Sequence, residues 1–140
     1  MPGIRMVLAD DHELVRAGIR SVLRHTSDIE IVGEAGDGKE ALRLVERLNP
    51  DILLTDIAMP GLNGLELTRE LANSFPKVRV VILSVYSDQE HVYLARRAGA
   101  AGYLSKTAPR EELALAIRAV AKGDTYVGPG LSSRSHVHQA

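Results

Sequence analysis

Asp10, Asp11, Asp56, Ser84 and Lys106 each stand at the end of a short apolar run, where a strand would hand over to a loop. If those strands are parallel, their tips share one edge of a sheet, and three carboxylates, a hydroxyl and an ammonium come together there. Clustered acids repel one another and raise one another's pKa, a cost usually relieved by a divalent cation. Oxygen ligands, with no cysteine anywhere and only His12 close by, favour Mg2+ or Mn2+ over Zn2+, and Mg2+ is the better fit. A carboxylate beside such a cation, facing a hydroxyl and a lysine, suits phosphoryl transfer. Asp56 would attack phosphorus in line and form an aspartyl phosphate while the metal and Lys106 neutralise the equatorial oxygens. The alternative for each acid taken singly is a helix cap or a solvated loop residue.

The elements that must position these groups can be read from periodicity. Ile52 to Leu54 form an apolar run of the kind buried on both faces of a sheet, ending in Asp56 and a Pro60-Gly61 turn. Ile4 to Ala9 reads as a first strand, and Leu14, Val15, Gly18, Ile19, Val22 and Leu23 then recur at helical spacing as one apolar face. Ile29 to Ala35 gives a second strand. Asp37 and Glu40 start a helix whose inner face is Ala41, Leu44, Val45 and Leu48, and which Asn49-Pro50 stops. Asn63 and Glu66 cap a helix from Leu65 to Ala72, and the β-branched run Val78 to Leu83 gives a fourth strand. Ser87 with Glu90 caps a helix through Ala98, closed by Gly99; Gly102 to Leu104 is the fifth strand, and Pro109 opens a last helix ending at Gly123. Strand and helix in five alternations predict an α/β fold, a doubly wound parallel sheet of five strands over residues 1–122. Residues 123–140, with Gly-Pro-Gly and three serines, read as a linker or tail.

Composition excludes several classes. The 140 residues carry a formal net charge of −1, which gives no basic footprint for nucleic acid. The absence of cysteine removes disulfides, thiolate metal sites and cysteine nucleophiles. No stretch approaches the ~20 apolar residues of a membrane span, and a cytoplasmic location without membrane contact is expected.

Asp10-Asp11, Asp56 with Met59-Pro60-Gly61, Ser84 and Lys106 at these spacings resemble the receiver domain of bacterial two-component response regulators, over about residues 4 to 122. Leu83 to Tyr86 and Ala98 to Lys106 are similar to the branch that carries LuxR-type (NarL/FixJ) DNA-binding domains. The resemblance implies a flavodoxin-like (βα)5 sheet in the order 2-1-3-4-5, with Asp56 as the acceptor of a phosphoryl group from a sensor histidine kinase. It places Mg2+ on Asp11, Asp56 and the backbone carbonyl of Ala58, with Asp10 acting through metal-bound water. It pairs Lys106 with the phosphoryl group, has Ser84 donate to it, and makes Tyr103 the partner that fills the space Ser84 vacates. Met59 and Pro60 shape the loop. Val85 is bulkier than the small residue often found after the switch hydroxyl, which bears on phosphoryl access and lifetime. The implied output is a homodimer through the helix 4, strand 5, helix 5 face and transcription regulation by a helix-turn-helix domain that these residues do not contain. Catalysis would be limited to slow self-dephosphorylation.

Other readings compete. A Mg2+-dependent phosphohydrolase with an aspartyl nucleophile would want a second acid two residues on, where this chain has Ala58. Gly33 to Lys39 matches a P-loop until Glu40 stands where Ser or Thr should bind Mg2+, so it reads as a turn and cap. Asp10 and His12 match the start of a cobalamin-binding signature, but Val15 replaces its glycine, and His12 reads as a first-turn helix residue. His136 and His138 read as solvated tail residues.

Overall fold

The apolar runs become strands because both of their faces are covered. In the computed structural model, which describes residues 3–128 and Leu131, strands and helices alternate as β1 (Ile4–Ala9), α1 (Glu13–Leu23), β2 (Ile29–Ala35), α2 (Gly38–Leu48), β3 (Ile52–Thr55), α3 (Gly64–Ser74), β4 (Arg79–Ser84), α4 (Gln89–Ala98), β5 (Gly102–Ser105), α5 (Arg110–Ala121) and β6 (Tyr126–Val127). All pairings are parallel, in the order β2-β1-β3-β4-β5-β6. The period of two along each strand divides the core into two layers. Val7, Leu53, Val80 and Ile82 pack with α2, α3 and α4 through Ala41, Val45, Leu67, Leu71, Val92 and Ala95. Met6, Leu8, Ile52, Leu54 and Val81 pack on the other face with Ile19 and Leu23 of α1 and Leu113, Ile117 and Val120 of α5. Each fully buried Leu or Ile contributes roughly 1.5–3 kcal/mol over an exposed one, so β3, buried along its whole length, is poorly free to shift.

Helix starts follow the expected chemistry with one displacement. Asp37 accepts from the Glu40 N–H at 2.8 Å, and Asn63 with Glu66 forms a reciprocal capping box. In α4 the cap is Asp88 rather than Ser87. Its carboxylate accepts from the His91 N–H and also meets His91 Nδ1 at 2.6 Å, a second partner that a Ser87 cap would not gain. Gly99 closes α4 in the left-handed conformation, as expected, and Asn49, expected only to stop α2 ahead of Pro50, is left-handed as well.

Two expectations need correction. Leu14 is not on the inner face of α1: it lies in the helix's first turn and is 86% exposed, at the rim of a hollow of about 440 Å3 floored by Ile19, Leu83, Leu104 and Leu113. The sheet has a sixth strand, so residues after the boundary expected at 122 still belong to it. Tyr126 N–H donates to the Ala101 carbonyl at 2.9 Å, Gly128 N–H donates to the Tyr103 carbonyl at 3.0 Å, and the Tyr126 hydroxyl reaches Glu112 Oε1 at 3.2 Å. Two residues between turn formers carry no periodicity to read; their partner is the otherwise bare edge of β5. Pro at position 126 would delete the N–H given to Ala101, and Tyr126→Pro is expected to lose about 1–3 kcal/mol. Urea unfolding of Tyr126→Pro beside Tyr126→Phe checks this, because only the former breaks the ladder; equal midpoints would show that β6 adds nothing.

His136 and His138 lie outside the described residues. Among the described residues no helix is long and apolar enough to cross a membrane.

Candidate functional site

The backbone places the acids before their side chains are considered. Asp56 follows β3, and its N–H donates to the Ala9 carbonyl at 3.1 Å; Asp10 follows β1, and its N–H donates to the Ala35 carbonyl at 3.0 Å. Each acid therefore completes the parallel ladder rather than starting a free loop. Opposite them, Lys106 N–H donates to the Ser84 carbonyl at 2.8 Å.

The loop after Asp56 is held from below by two helix starts. Gly64 N–H donates to the Ile57 carbonyl at 2.8 Å, and a Cβ at position 64 would stand 2.1 Å from the Asp56 carbonyl oxygen. Gly38 N–H donates to the Pro60 carbonyl at 3.4 Å, and a Cβ there would stand 1.7 Å from the Leu62 oxygen. Only glycine permits either approach. The P-loop-like stretch is thus a seat for the chain's own Pro60 to Leu62. Met59 is buried beneath this loop, while Ala58 is exposed beside it.

The side chains of Asp10, Asp56 and Lys106 meet in the crevice. Lys106 Nζ donates to Asp10 Oδ2 at 2.7 Å and to Asp56 Oδ2 at 2.9 Å, while Ile57 N–H donates to Asp56 Oδ1 at 2.7 Å. Asp10 and Asp56 are buried, and the lysine side chain is only 13% exposed. Burial alone would depress the Lys106 pKa, yet the hydrogen bonds it donates to Asp10 and Asp56 and the charges of those acids outweigh it and raise the pKa above its ordinary value. Asp10 was expected to act through metal-bound water; here it also holds the lysine as closely as Asp56 does.

His12, the one histidine that the sequence places near the acids, comes closer to them than a first-turn helix residue would. It stands at the N-cap of α1, its N–H donates to Asp10 Oδ1 at 2.9 Å, and its Nδ1 lies 3.2 Å from Asp10 Oδ1 and 3.1 Å from Asp11 Oδ1. Ligand atoms of Asp10, Asp11, His12 and Asp56 all fall within 4.8 Å of one another. That donor set is mainly carboxylate oxygen and fits a hard divalent cation.

Ser84 and Tyr103 meet through a residue that the sequence did not single out. The buried Ser84 hydroxyl oxygen accepts from the Tyr86 N–H at 3.0 Å, and the Tyr103 hydroxyl donates to the Tyr86 carbonyl. The Tyr103 ring is turned inward and 1% exposed, whereas Val85 stands out at the mouth. The Tyr86 ring stacks on His91 with centroids 4.4 Å apart. Nothing local in the sequence marks Tyr86, since its partners come from three elements.

Burial pushes the Tyr103 phenol up to about 12; the Ser84 hydroxyl opposes this, and the charges of Asp88 and Asp56 add to it. The folded chain therefore keeps a proton that the unfolded chain, with an ordinary value of 10.0, has already released. Stability is untouched below that ordinary value and falls as the pH rises from there to about 12. Tyr103→Phe is expected to flatten this part of the profile, which urea midpoints at about pH 9 and about pH 11 would show; parallel profiles would refute it.

A parallel sheet with its acids, hydroxyl and lysine at the strand tips defines a class, and comparison with known proteins agrees. The chain belongs to the response regulator receiver family, whose model, the response regulator receiver domain, matches residues 6–118. It is a signalling domain rather than an enzyme built for turnover. Among its relatives is the oxygen regulatory protein NreC of Staphylococcus aureus, 44% identical over 131 residues, covering 93% of this chain and 60% of that protein. The chain thus spans about 60% of the length of the curated relatives it matches. Among solved structures it is similar to a LuxR-family two-component response regulator from Aurantimonas sp. SI85-9A1, with 31% identity, TM-score 0.91 and 98% of both chains covered. It is also similar to the signal receiver domain of the response regulator NarL of Mycobacterium tuberculosis, with 36% identity, TM-score 0.85, and coverage of 88% of this chain and 99% of that one.

Proposed function

We propose that Asp56 accepts a phosphoryl group from a sensor histidine kinase in a Mg2+-dependent reaction, and that the chain is the receiver part of a DNA-binding transcription regulator. The observation that carries this reading is the placement of Lys106 Nζ between the buried oxygens of Asp10 and Asp56, with Asp11 within reach of both.

Asp11, Asp56 and the Ala58 carbonyl would hold Mg2+, with Asp10 reaching it through water. Bound there, the cation supplies positive charge to the oxygens of the incoming phosphoryl group. One Asp56 oxygen attacks phosphorus in line; the bond from phosphorus to the donor nitrogen breaks, and its electron pair leaves with the donor imidazole. Lys106 gives up its contact with the attacking oxygen and neutralises a phosphoryl oxygen. Ser84, released from the Tyr86 N–H, rotates to donate to another. Phosphorylation adds roughly one and a half to two negative charges. Tyr86, gripped at its N–H by Ser84 and at its carbonyl by Tyr103, is where that change reaches the β4–α4 loop.

With Ala58 where a hydrolase would place its second acid, water attack on the phosphoryl group is slow. DNA binding would come from an output domain such as LuxR-family regulators carry. The face of α4, β5 and α5 is the proposed homodimer surface; because β6 occupies the outer edge of β5, two copies would meet through helix surfaces rather than by strand pairing.

Incubation with acetyl phosphate and Mg2+, followed by intact mass and sedimentation, tests the reading. One phosphoryl equivalent is expected with Mg2+, and none when EDTA is present from the start. Hydrolysis of many equivalents of a phosphate ester would favour the phosphohydrolase instead, and no labelling at all would leave the domain an inert scaffold.

A further inference from the structure

Asp10 and Asp11 sit on a short connection between β1 and α1, and their oxygens stay in place only if that backbone is anchored. Arg16, in the second turn of α1, is the anchor. Its Nη1 donates to the Asp10 carbonyl at 2.5 Å, its Nη2 donates to Glu13 Oε1 at 2.5 Å, and its Nε lies 3.3 Å from Glu34 Oε1 on β2. The side chain is 17% exposed, so these partners replace water rather than compete with it.

The details distinguish this from an ordinary tie between helix and sheet. Arg20 already makes that tie, with Nη1 on Glu34 Oε1 at 2.6 Å and Nη2 on Glu13 Oε2 at 3.3 Å. Arg16 instead turns its fork toward the Asp10 carbonyl and leaves its own Nε as the one buried side-chain polar atom among the described residues without an aligned hydrogen-bond partner. A buried N–H is left under-satisfied so that a carbonyl can be held. The contact also differs in kind from that of Lys106. Lys106 binds the carboxylates and offsets their charge; Arg16 binds the neutral backbone, its own charge met by Glu13 and Glu34, and leaves the acids free as ligands.

We propose that Arg16 is a positioning residue of the site: by fixing the Asp10 carbonyl it sets the β1–α1 turn so that Asp10 and Asp11 present their oxygens to the divalent cation. This rests on the Mg2+ reading above. Loss of a partner that orients a ligand typically weakens metal binding ~10- to 100-fold.

The test uses the whole chain and calorimetric titration with Mg2+. Arg16→Met, which keeps the stem and removes the donors, should bind Mg2+ about tenfold more weakly or worse, and amide exchange at Asp11 and His12 should quicken in the metal-free protein. Arg20→Met, which breaks the helix-to-sheet tie but not the carbonyl contact, should bind Mg2+ like the parent. Arg16→Lys, which keeps one donor, should lie between, and it decides the matter if Arg16→Met does not fold: parental affinity in Arg16→Lys then overturns the assignment. Equal Mg2+ affinity in Arg16→Met and the parent, or an equal loss in Arg20→Met, overturns the role of Arg16. Failure of the parent chain to bind Mg2+ overturns the metal reading itself, a result distinct from either.

Discussion

Asp56→Asn is expected to take up no phosphoryl group from acetyl phosphate under conditions where the parent is labelled to one equivalent. An amide oxygen is too weak a nucleophile to displace a leaving group from phosphorus, and no second acid two residues on can substitute for it, since that position is Ala58. The variant should nevertheless fold. Its side-chain oxygen can still accept from Ile57 N–H, which now meets Asp56 Oδ1 at 2.7 Å, and Lys106 keeps its 2.7 Å contact with Asp10. Two buried acids share one ammonium in the parent, so removing one charge is expected to raise the melting temperature measured in EDTA. Loss of labelling together with a retained or raised melting temperature separates a missing nucleophile from a broken fold. Stoichiometric labelling of Asp56→Asn would refute the acceptor assignment.

The strand tips explain why so much of this site is legible in the sequence. Parallel strands send every C-terminal end to one edge, so Asp10, Asp56, Ser84 and Lys106 can be gathered there without knowing a single side-chain contact. Short-range chemistry reads equally well: the Asp37 cap, the Asn63 and Glu66 box and the left-handed Gly99 each involve neighbours a few residues apart. What escapes is contact between elements far apart in sequence. Gly38 and Gly64 give no local sign that the Asp56 loop lies against them, and the first of them imitates a phosphate loop instead. Leu14 keeps helical spacing with Gly18 and Val22 but stands five and nine residues before the buried Ile19 and Leu23, off the face they share, and β6 exists only because β5 has an edge to offer. The double grip on Tyr86 and the turn of Arg16 toward Asp10 belong to the same class.

Lys106→Ala separates the two tasks of the lysine. Among the described residues it is the one lysine or arginine paired with the carboxylates of Asp10 and Asp56, and removing it leaves two buried carboxylates facing each other. Losing one partner of a buried pair costs roughly 3–5 kcal/mol, and the lower end applies to a side chain that is slightly exposed, so urea stability in EDTA should fall by about 3 kcal/mol. Mg2+ should restore that stability at neutral pH by supplying the missing charge. Metal binding therefore survives. The conformational response should not, because no other ammonium reaches the phosphoryl oxygens to hold the state in which Ser84 has left Tyr86. Amide exchange of the β4–α4 loop with and without beryllofluoride reads that step directly: the parent should change and Lys106→Ala should not. An equal change in both would mean that Lys106 serves only to neutralise the resting site.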